Sequence, residues 1–212
     1  RIFFWALKVG KKYGRKKLNK QPIPKALQRK RNLAQKLVFS KIIEKTGGRI
    51  RFFVSGAAPL AKDIAEFFNA LGLVILEGYG LTETSPVISV NTFANMKFGT
   101  VGKPIPGIEV KIAPDGEILT RGPHVMKGYY KKEAETAEAF EGSWFRTGDI
   151  GCFDEDGFLV ITDRKKDIIV TAGGKNVAPQ PIENMLKTNP YISNAVVLGD
   201  KRRFVCALVV PN

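Results

Sequence analysis

Apolar positions in residues 1–45 recur at helical rather than strand spacing. Leu27, Ala34, Leu37, Val38 and Ile42 fall roughly on one face, with Lys and Arg elsewhere, which predicts amphipathic helices. Pro22 and Pro24 divide this stretch from a first helix, because proline breaks the helical hydrogen-bond pattern. The spacing then changes. Ile50-Arg51-Phe52-Phe53-Val54 predicts a buried strand that ends in the small-residue turn Ser55-Gly56-Ala57-Ala58-Pro59. Ile64, Phe67, Phe68 and Leu71 follow at i, i+3, i+4 and i+7, an amphipathic helix stopped by Gly72. Leu73-Val74-Ile75-Leu76 is the next predicted strand, and Glu77-Gly78-Tyr79-Gly80 the loop after it. Strand, helix and strand in this order form a βαβ unit, whose strands are expected to be parallel and buried.

Beyond residue 100 the chain reads as short strands between turns. Asp115-Gly116 and Asp156-Gly157 are hairpin signals. Strands near 108–112, 117–121 and 158–162 predict an antiparallel, barrel-like unit. The charged cluster Asp163-Arg164-Lys165-Lys166-Asp167 interrupts the apolar pattern and is a candidate linker. A strand, the loop Ala172-Gly173-Gly174-Lys175-Asn176, a helix around 181–188 and strands near 194–198 and 204–210 follow. The expected fold class is α/β plus β. A parallel-sheet α/β portion and a barrel-like antiparallel portion make one large domain, 1–163. The start of a small α+β C-terminal domain occupies 164–212.

Composition narrows the class. The chain has 212 residues, 44% hydrophobic and 25% charged, which excludes collagen-like, mucin-like and wholly disordered proteins. No apolar run approaches the ~20 residues of a membrane span. Two cysteines, Cys152 and Cys206, cannot build a disulfide framework, so a reducing, cytoplasmic setting is expected. They and the single histidine, His124, are expected to be structural, and one histidine excludes a His-rich metal site. The chain opens on the apolar run Ile2-Phe3-Phe4-Trp5-Ala6-Leu7 and stops just after the apolar stretch 204–210, so it is expected to be a segment of a longer protein.

Charge is uneven. Residues 1–51 hold seventeen Lys/Arg and one acid, Glu44, while the whole chain carries +14; the first quarter is therefore +16 and the remainder −2. This asymmetry suits an anionic partner at one end and equally a solvated helical surface. Peripheral contact with an anionic membrane through residues 1–45 is the expected use, with no nucleic acid as partner. Oligomeric state is not legible.

Candidate chemistry gathers at strand ends, where open α/β sheets bind ligands. Gly56 and the segment Glu77-Gly78-Tyr79-Gly80 would let a flat ligand approach the backbone. Tyr79 offers a ring for stacking, Thr82 a hydroxyl for a phosphate, and Glu83 a hard oxygen for Mg²⁺. The same residues also suit tight turns around a buried tyrosine. Asp149, after Gly148, can accept two hydrogen bonds from a vicinal diol such as ribose, or can cap a turn. Arg164 suits a phosphate or ribose, or a surface ion pair. Gly173-Gly174-Lys175 could border a thin ligand arm, or form a flexible hairpin.

Ordered along the chain, these motifs resemble a known family. Ser55-Gly56-Ala57-Ala58-Pro59-Leu60, Tyr79-Gly80-Leu81-Thr82-Glu83-Thr84, Gly116-Glu117-Ile118 through Gly128-Tyr129-Tyr130, Trp144-Phe145-Arg146-Thr147-Gly148-Asp149, Asp163-Arg164-Lys165-Lys166-Asp167 and Gly173-Gly174-Lys175-Asn176-Val177-Ala178-Pro179 carry the likeness. It is to the adenylate-forming superfamily of acyl-CoA synthetases, adenylation domains and luciferases, most of all to bacterial long-chain fatty acid–CoA ligases, and it covers about residues 45–212. The resemblance implies a two-step reaction. A carboxylate attacks the α-phosphate of ATP to give an acyl-adenylate and pyrophosphate, and the thiol of coenzyme A then displaces AMP. It implies that Gly56, Ala57, Ala58, Glu77, Gly78, Tyr79 and Gly80 line the adenine site. Thr82 would contact the α-phosphate, Glu83 hold Mg²⁺, Asp149 bind the ribose with help from Arg164, Ile161 border the nucleoside, and Lys166 contact the nucleotide. Gly173, Gly174 and Lys175 would border coenzyme A, and Asp163 would be the hinge between the domains.

The family's phosphate-binding loop and its C-terminal adenylation lysine would lie upstream and downstream of this chain. The chain alone is therefore expected to turn over little or nothing, and at most to bind adenylate weakly. Residues 85–99 are expected to line one side of the acid pocket without identifying the acid. The alternatives are an aryl- or medium-chain CoA ligase, a fatty acyl–AMP ligase, or a non-catalytic module that binds anionic lipid.

Overall fold

Three helices fill the basic first quarter, in a computed structural model that describes residues 1–212. Helix α1 spans Ile2–Leu18, α2 Lys25–Ala34 and α3 Ser40–Lys45. A single wide π-type turn, Gln35–Phe39, joins α2 to α3 without a break. That turn adds residues per revolution and so rotates the apolar face. Leu37, expected on the buried face, is 45% exposed, while Phe39 is fully buried. Ala6, Val9, Leu27, Ala34, Phe39 and Leu71 form one core, with Trp5, Tyr13 and Phe67 packed against it.

Strand β1, Phe52–Ser55, leads into helix α4, Lys62–Leu71, and strand β2, Val74–Gly80. Strands β1 and β2 pair in parallel from Phe52 opposite Val74 to Ser55 opposite Glu77, so the βαβ unit is present. Gly72 ends α4 at φ +96°, a left-handed conformation that costs glycine no steric strain. Helix α1 reaches α4 through its own glycines: a Cβ on Gly10 would sit 2.5 Å from the Ala70 carbonyl. Two expectations change here. Strand β1 is not buried, since Val54 is 70% exposed. The residues 77–80, expected as a loop, continue β2 because Glu77 is still in register with Ser55.

By its internal contacts the chain divides into two units, residues 1–78 with 90–102, and residues 79–89 with 103–212. A 3₁₀ turn at Thr82–Thr84 precedes β3, Val87–Val90, and β4, Lys103–Pro104. Buried Thr84 closes that turn: its hydroxyl accepts from the Leu81 N–H at 2.9 Å and donates to the Pro86 carbonyl at 2.6 Å.

Strands β5 (Glu109–Ile112), β6 (Glu117–Arg121), β7 (Phe140–Glu141), β8 (Trp144–Phe153) and β9 (Leu159–Arg164) form one antiparallel sheet, with the short helix α5, Glu133–Glu138, before β7. The expected hairpins are there: Gly116 and Gly157 both take positive φ. The sheet does not close into a barrel. It branches at the ten-residue β8, which pairs with β6, β7 and β9. Strand β9 also runs further than expected, so Asp163 and Arg164 end a strand. Only Lys165–Asp167 form an irregular 3₁₀ turn.

The short hairpin β10 (Ile169–Val170) and β11 (Asn176–Val177) follows, then α6 (Pro179–Lys187) and the antiparallel pair β12 (Ile192–Leu198) and β13 (Cys206–Pro211). Buried Ala195 and Val197 face inward from β12. The Val197 N–H donates to Glu183 Oε1 at 2.8 Å, tying β12 to α6.

Candidate functional site

Strands β8 and β9 set the site by register. Asp149 lies opposite Arg164 and Ile150 opposite Asp163. Arg164 Nε is 3.4 Å from Asp149 Oδ1. The other carboxylate oxygen, Oδ2, accepts a 2.6 Å hydrogen bond from the Tyr79 hydroxyl. Asp149 is only 6% exposed, yet each of its oxygens has a cationic or hydroxyl partner. Leu81, Thr147, Gly148, Asp149, Arg164, Lys165 and Lys166 surround a cavity of about 430 Å³. A single carboxylate in a ring of three cations suits a ligand with a hydroxylated part and an anionic part.

Burial dominates the titration of both central groups. It pushes the Asp149 carboxyl up, against the opposing pull of the Tyr79 hydrogen bond and the Arg164 charge. It also pushes the Tyr79 hydroxyl up, and the Asp149 charge adds to that, so Tyr79 stays a proton donor at neutral pH.

Behind the cavity stands Glu117. Its Oε1 accepts the Gly148 N–H at 3.0 Å, and Oε2 accepts from Arg146 and from Lys165, both at 2.9 Å. Burial alone would raise this carboxyl, but the Lys165, Arg146 and Gly148 donors outweigh it and hold it below the usual carboxylate range. Gly148 takes φ +72°, so the strand kinks at the residue before Asp149, and Glu117 fixes that kink. Lys165 also reaches Asp115 Oδ2 at 2.6 Å. The chain pattern missed this clamp. Its one sequence signal was an acid inside the otherwise apolar and neutral stretch 117–120.

The remaining expected residues sit as follows. Thr82 is exposed in the turn directly after the cavity residue Leu81. Glu83 accepts a 3.0 Å hydrogen bond from the Tyr129 hydroxyl, and its carbonyl accepts the Met126 N–H at 2.7 Å. No group of three or more His, Cys, Asp or Glu side chains converges as a metal cage. Glu83 alone fits an ion that takes one or two carboxylates and completes its shell with phosphate and water. Ile161 is half-buried opposite Gly151 in β9, away from the cavity lining, whereas Lys166 is in it. Asp163 is 2% exposed, and its carboxylate accepts the Arg164 and Gln180 N–H groups at 2.7 and 3.3 Å. Gly173, Gly174 and Lys175 are exposed in the turn of the β10–β11 hairpin. In the first unit, Glu77 is buried and pushed up to about 7 by that burial, while Gly56 faces the Gly78 carbonyl and Ala57 and Ala58 are exposed. His124 is joined to Thr120 Oγ1 at 3.0 Å, and Cys152 and Cys206 are free and exposed.

The sequence profile of the AMP-binding enzyme family matches residues 15–130, and that of the AMP-binding enzyme C-terminal domain matches residues 166–212. The chain belongs to the AMP-binding enzyme family. This AMP-binding family member is 51% identical over 183 residues to the long-chain-fatty-acid–CoA ligase FadD15 of Mycobacterium tuberculosis, a match covering 86% of this chain and 30% of that protein. It is 41% identical over 214 residues to the long-chain-fatty-acid–CoA ligase ACSBG2 of Xenopus laevis, covering 97% of this chain and 28% of that one. Among solved structures it is similar to o-succinylbenzoate coenzyme A synthetase of Bacillus subtilis in complex with AMP. There the TM-score is 0.71 at 32% identity, over 82% of this chain and 39% of the other. The chain thus spans roughly 30% of the length of the curated relatives it matches. No helix is long and apolar enough to cross a membrane.

Proposed function

We propose that the protein containing this chain is an AMP-forming long-chain fatty acid–CoA ligase. It would convert fatty acid, ATP and coenzyme A to acyl-CoA, AMP and pyrophosphate through an acyl-adenylate. The observation that carries this reading is the Asp149–Arg164 pair lining the cavity, with the Tyr79 hydroxyl bonded to Asp149, in a family member 51% identical to a long-chain-fatty-acid–CoA ligase. Asp149 accepts hydrogen bonds from the two ribose hydroxyls, and Arg164 steadies it. The Tyr79 ring lies against the base. Lys166, within the cavity, contacts the nucleotide, and Ile161 borders the nucleoside from further off. Thr82 donates to the α-phosphate. Glu83 would hold a Mg²⁺ ion, which supplies charge neutralisation between two anionic reactants. For Gly56, Ala57, Ala58, Glu77, Gly78 and Gly80 the support is the motif itself.

Residues 164–212 begin the small domain in this reading, and the profile match from residue 166 supports it. Rotation occurs near Asp163. Asp163 itself is buried and bonded, so the exposed turn Lys165–Asp167 takes up the backbone change. Rotation then brings Gly173, Gly174 and Lys175 to the coenzyme A arm. Residues 85–99 form one side of the acid pocket. The solved relatives named for aryl acids favour a second reading, a ligase for a shorter or aromatic acid, but at 32% identity against 51% they support it less.

The test is a pyrophosphate-release assay on the full-length protein with a panel of acids. Palmitate and its long-chain neighbours are expected to exceed butyrate and benzoate by at least about tenfold in kcat/KM. Preference for an aryl or short acid would overturn the substrate assignment. Release that depends on no acid would overturn the reaction.

A further inference from the structure

Helix α1 has two unlike faces. Ala6, Val9, Gly10 and Gly14 are buried, with Gly10 against Ala70 and Gly14 against Asn69. The opposite face carries Phe4, Lys8, Lys11, Lys12, Arg15 and Lys16 along an open groove of about 590 Å³. These residues lie at helical spacing, so the cations form one stripe, and Lys8 to Lys16 cover roughly 12 Å of helix length. Glu66 answers part of it, at 3.8 Å from Lys11 and 2.9 Å from Arg15. Lys8, Lys12 and Lys16 have no carboxylate within ion-pair distance, and Lys16 meets only Gln21 Oε1 at 3.4 Å. At the N-terminal end of the stripe Phe4 is 72% exposed. The surrounding 51 residues carry the whole positive excess of the chain.

We propose that this face of α1 docks on an anionic phospholipid bilayer, with the lysine stripe on the headgroup phosphates and Phe4 inserted at its edge. Charge complementarity selects the partner. A row of unpaired lysines gains most against a dense two-dimensional array of phosphates. An exposed aromatic at one end gains further by leaving water for the acyl boundary. A nucleic acid would use the cations equally but would leave Phe4 without a stack of further rings along the stripe. The interaction is independent of the ligase reading, since it needs none of the residues around the nucleotide cavity.

The experiment is vesicle co-sedimentation of the full-length protein that contains this chain. It compares phosphatidylcholine vesicles with the same vesicles containing phosphatidylglycerol. Binding to the anionic vesicles is expected, and it should be lost as salt rises toward ~0.5 M, where screening shortens the reach of surface charge. Lys8→Glu with Lys12→Glu should weaken that binding by about tenfold or more. Lys127→Glu with Lys187→Glu makes the same change in net charge in the other unit and should leave binding within about twofold. Lys8→Gln with Lys12→Gln is the milder pair and should fall between, with unchanged far-UV circular dichroism. Phe4→Ser should weaken binding with no change of charge. Equal sedimentation with neutral vesicles, or equal losses in the two Glu pairs, would overturn the proposal. So would tighter binding to duplex DNA than to the anionic vesicles.

Discussion

The Tyr79 hydroxyl donates a 2.6 Å hydrogen bond to Asp149 Oδ2, joining the end of β2 to the middle of β8 across 70 residues of chain. The bond aims the carboxylate and leaves the tyrosine ring in place as a flat surface. Tyr79→Phe keeps the ring and removes only the donor. A buried carboxylate then loses one of its two partners. Unfolding free energy should fall by about 1–3 kcal/mol, measured as a shift in urea midpoint. In the full-length protein, AMP affinity should fall together with it.

Glu117 offers a sharper stability test. It is 3% exposed and receives Arg146, Lys165 and the Gly148 N–H. Glu117→Ala leaves Arg146 and the Gly148 N–H without their carboxylate and leaves Lys165 with Asp115 alone; because both cations reach solvent, a loss of about 1–3 kcal/mol is expected in urea titration. The folded carboxyl titrates below its unfolded value, so its contribution is complete above the unfolded value and disappears as pH falls through the folded one. The wild-type chain should therefore lose stability on acidification more steeply than the variant.

Glu77 has the opposite sign. Burial pushes it up to about 7 from an ordinary 4.5. The folded state binds the proton more tightly than the unfolded state between those values, so stability falls as pH rises through that window and is flat above it. Glu77→Gln should flatten the slope and raise the urea midpoint at pH 8 by the equivalent of about 1–3 kcal/mol. A steeper slope in the variant would contradict this assignment of sign.

Gly80 tests the turn that carries Thr82 and Glu83. A Cβ there would overlap the Pro86 carbonyl, which is backbone and cannot swing away. Gly80→Ala should reduce stability by about 1–3 kcal/mol or force the turn to rearrange. Loss of the Thr84 hydroxyl bond to Pro86, followed by amide hydrogen exchange at Leu81, would report the rearrangement.

Local spacing was enough to mark α4, its Gly72 stop, both Asp-Gly hairpins and the parallel pairing of β1 with β2. Each depends on residues close in sequence. The rotation of the helical face at Phe39 was not legible, because a π-type turn keeps helical hydrogen bonding while breaking the 3.6-residue period. The branching of the sheet at β8 was hidden for a related reason: a ten-residue strand with three partners looks locally like any alternating strand. In the candidate site, Asp149, Arg164 and Lys166 stood out by type and motif. The roles of Glu117 and Lys165 did not, since their partners lie 29 to 50 residues away. Asp163 stood in a charged cluster and read as linker, but in the structure it is the buried end of a strand.

The central claim is that Asp149 grips a ribose diol in this cavity. Titration calorimetry of the full-length protein with AMP and with 2′,3′-dideoxy-AMP tests it directly, in wild type and in Asp149→Ala. The account predicts that wild type prefers AMP by about tenfold or more and that Asp149→Ala erases the preference. An equal preference in both proteins would contradict it.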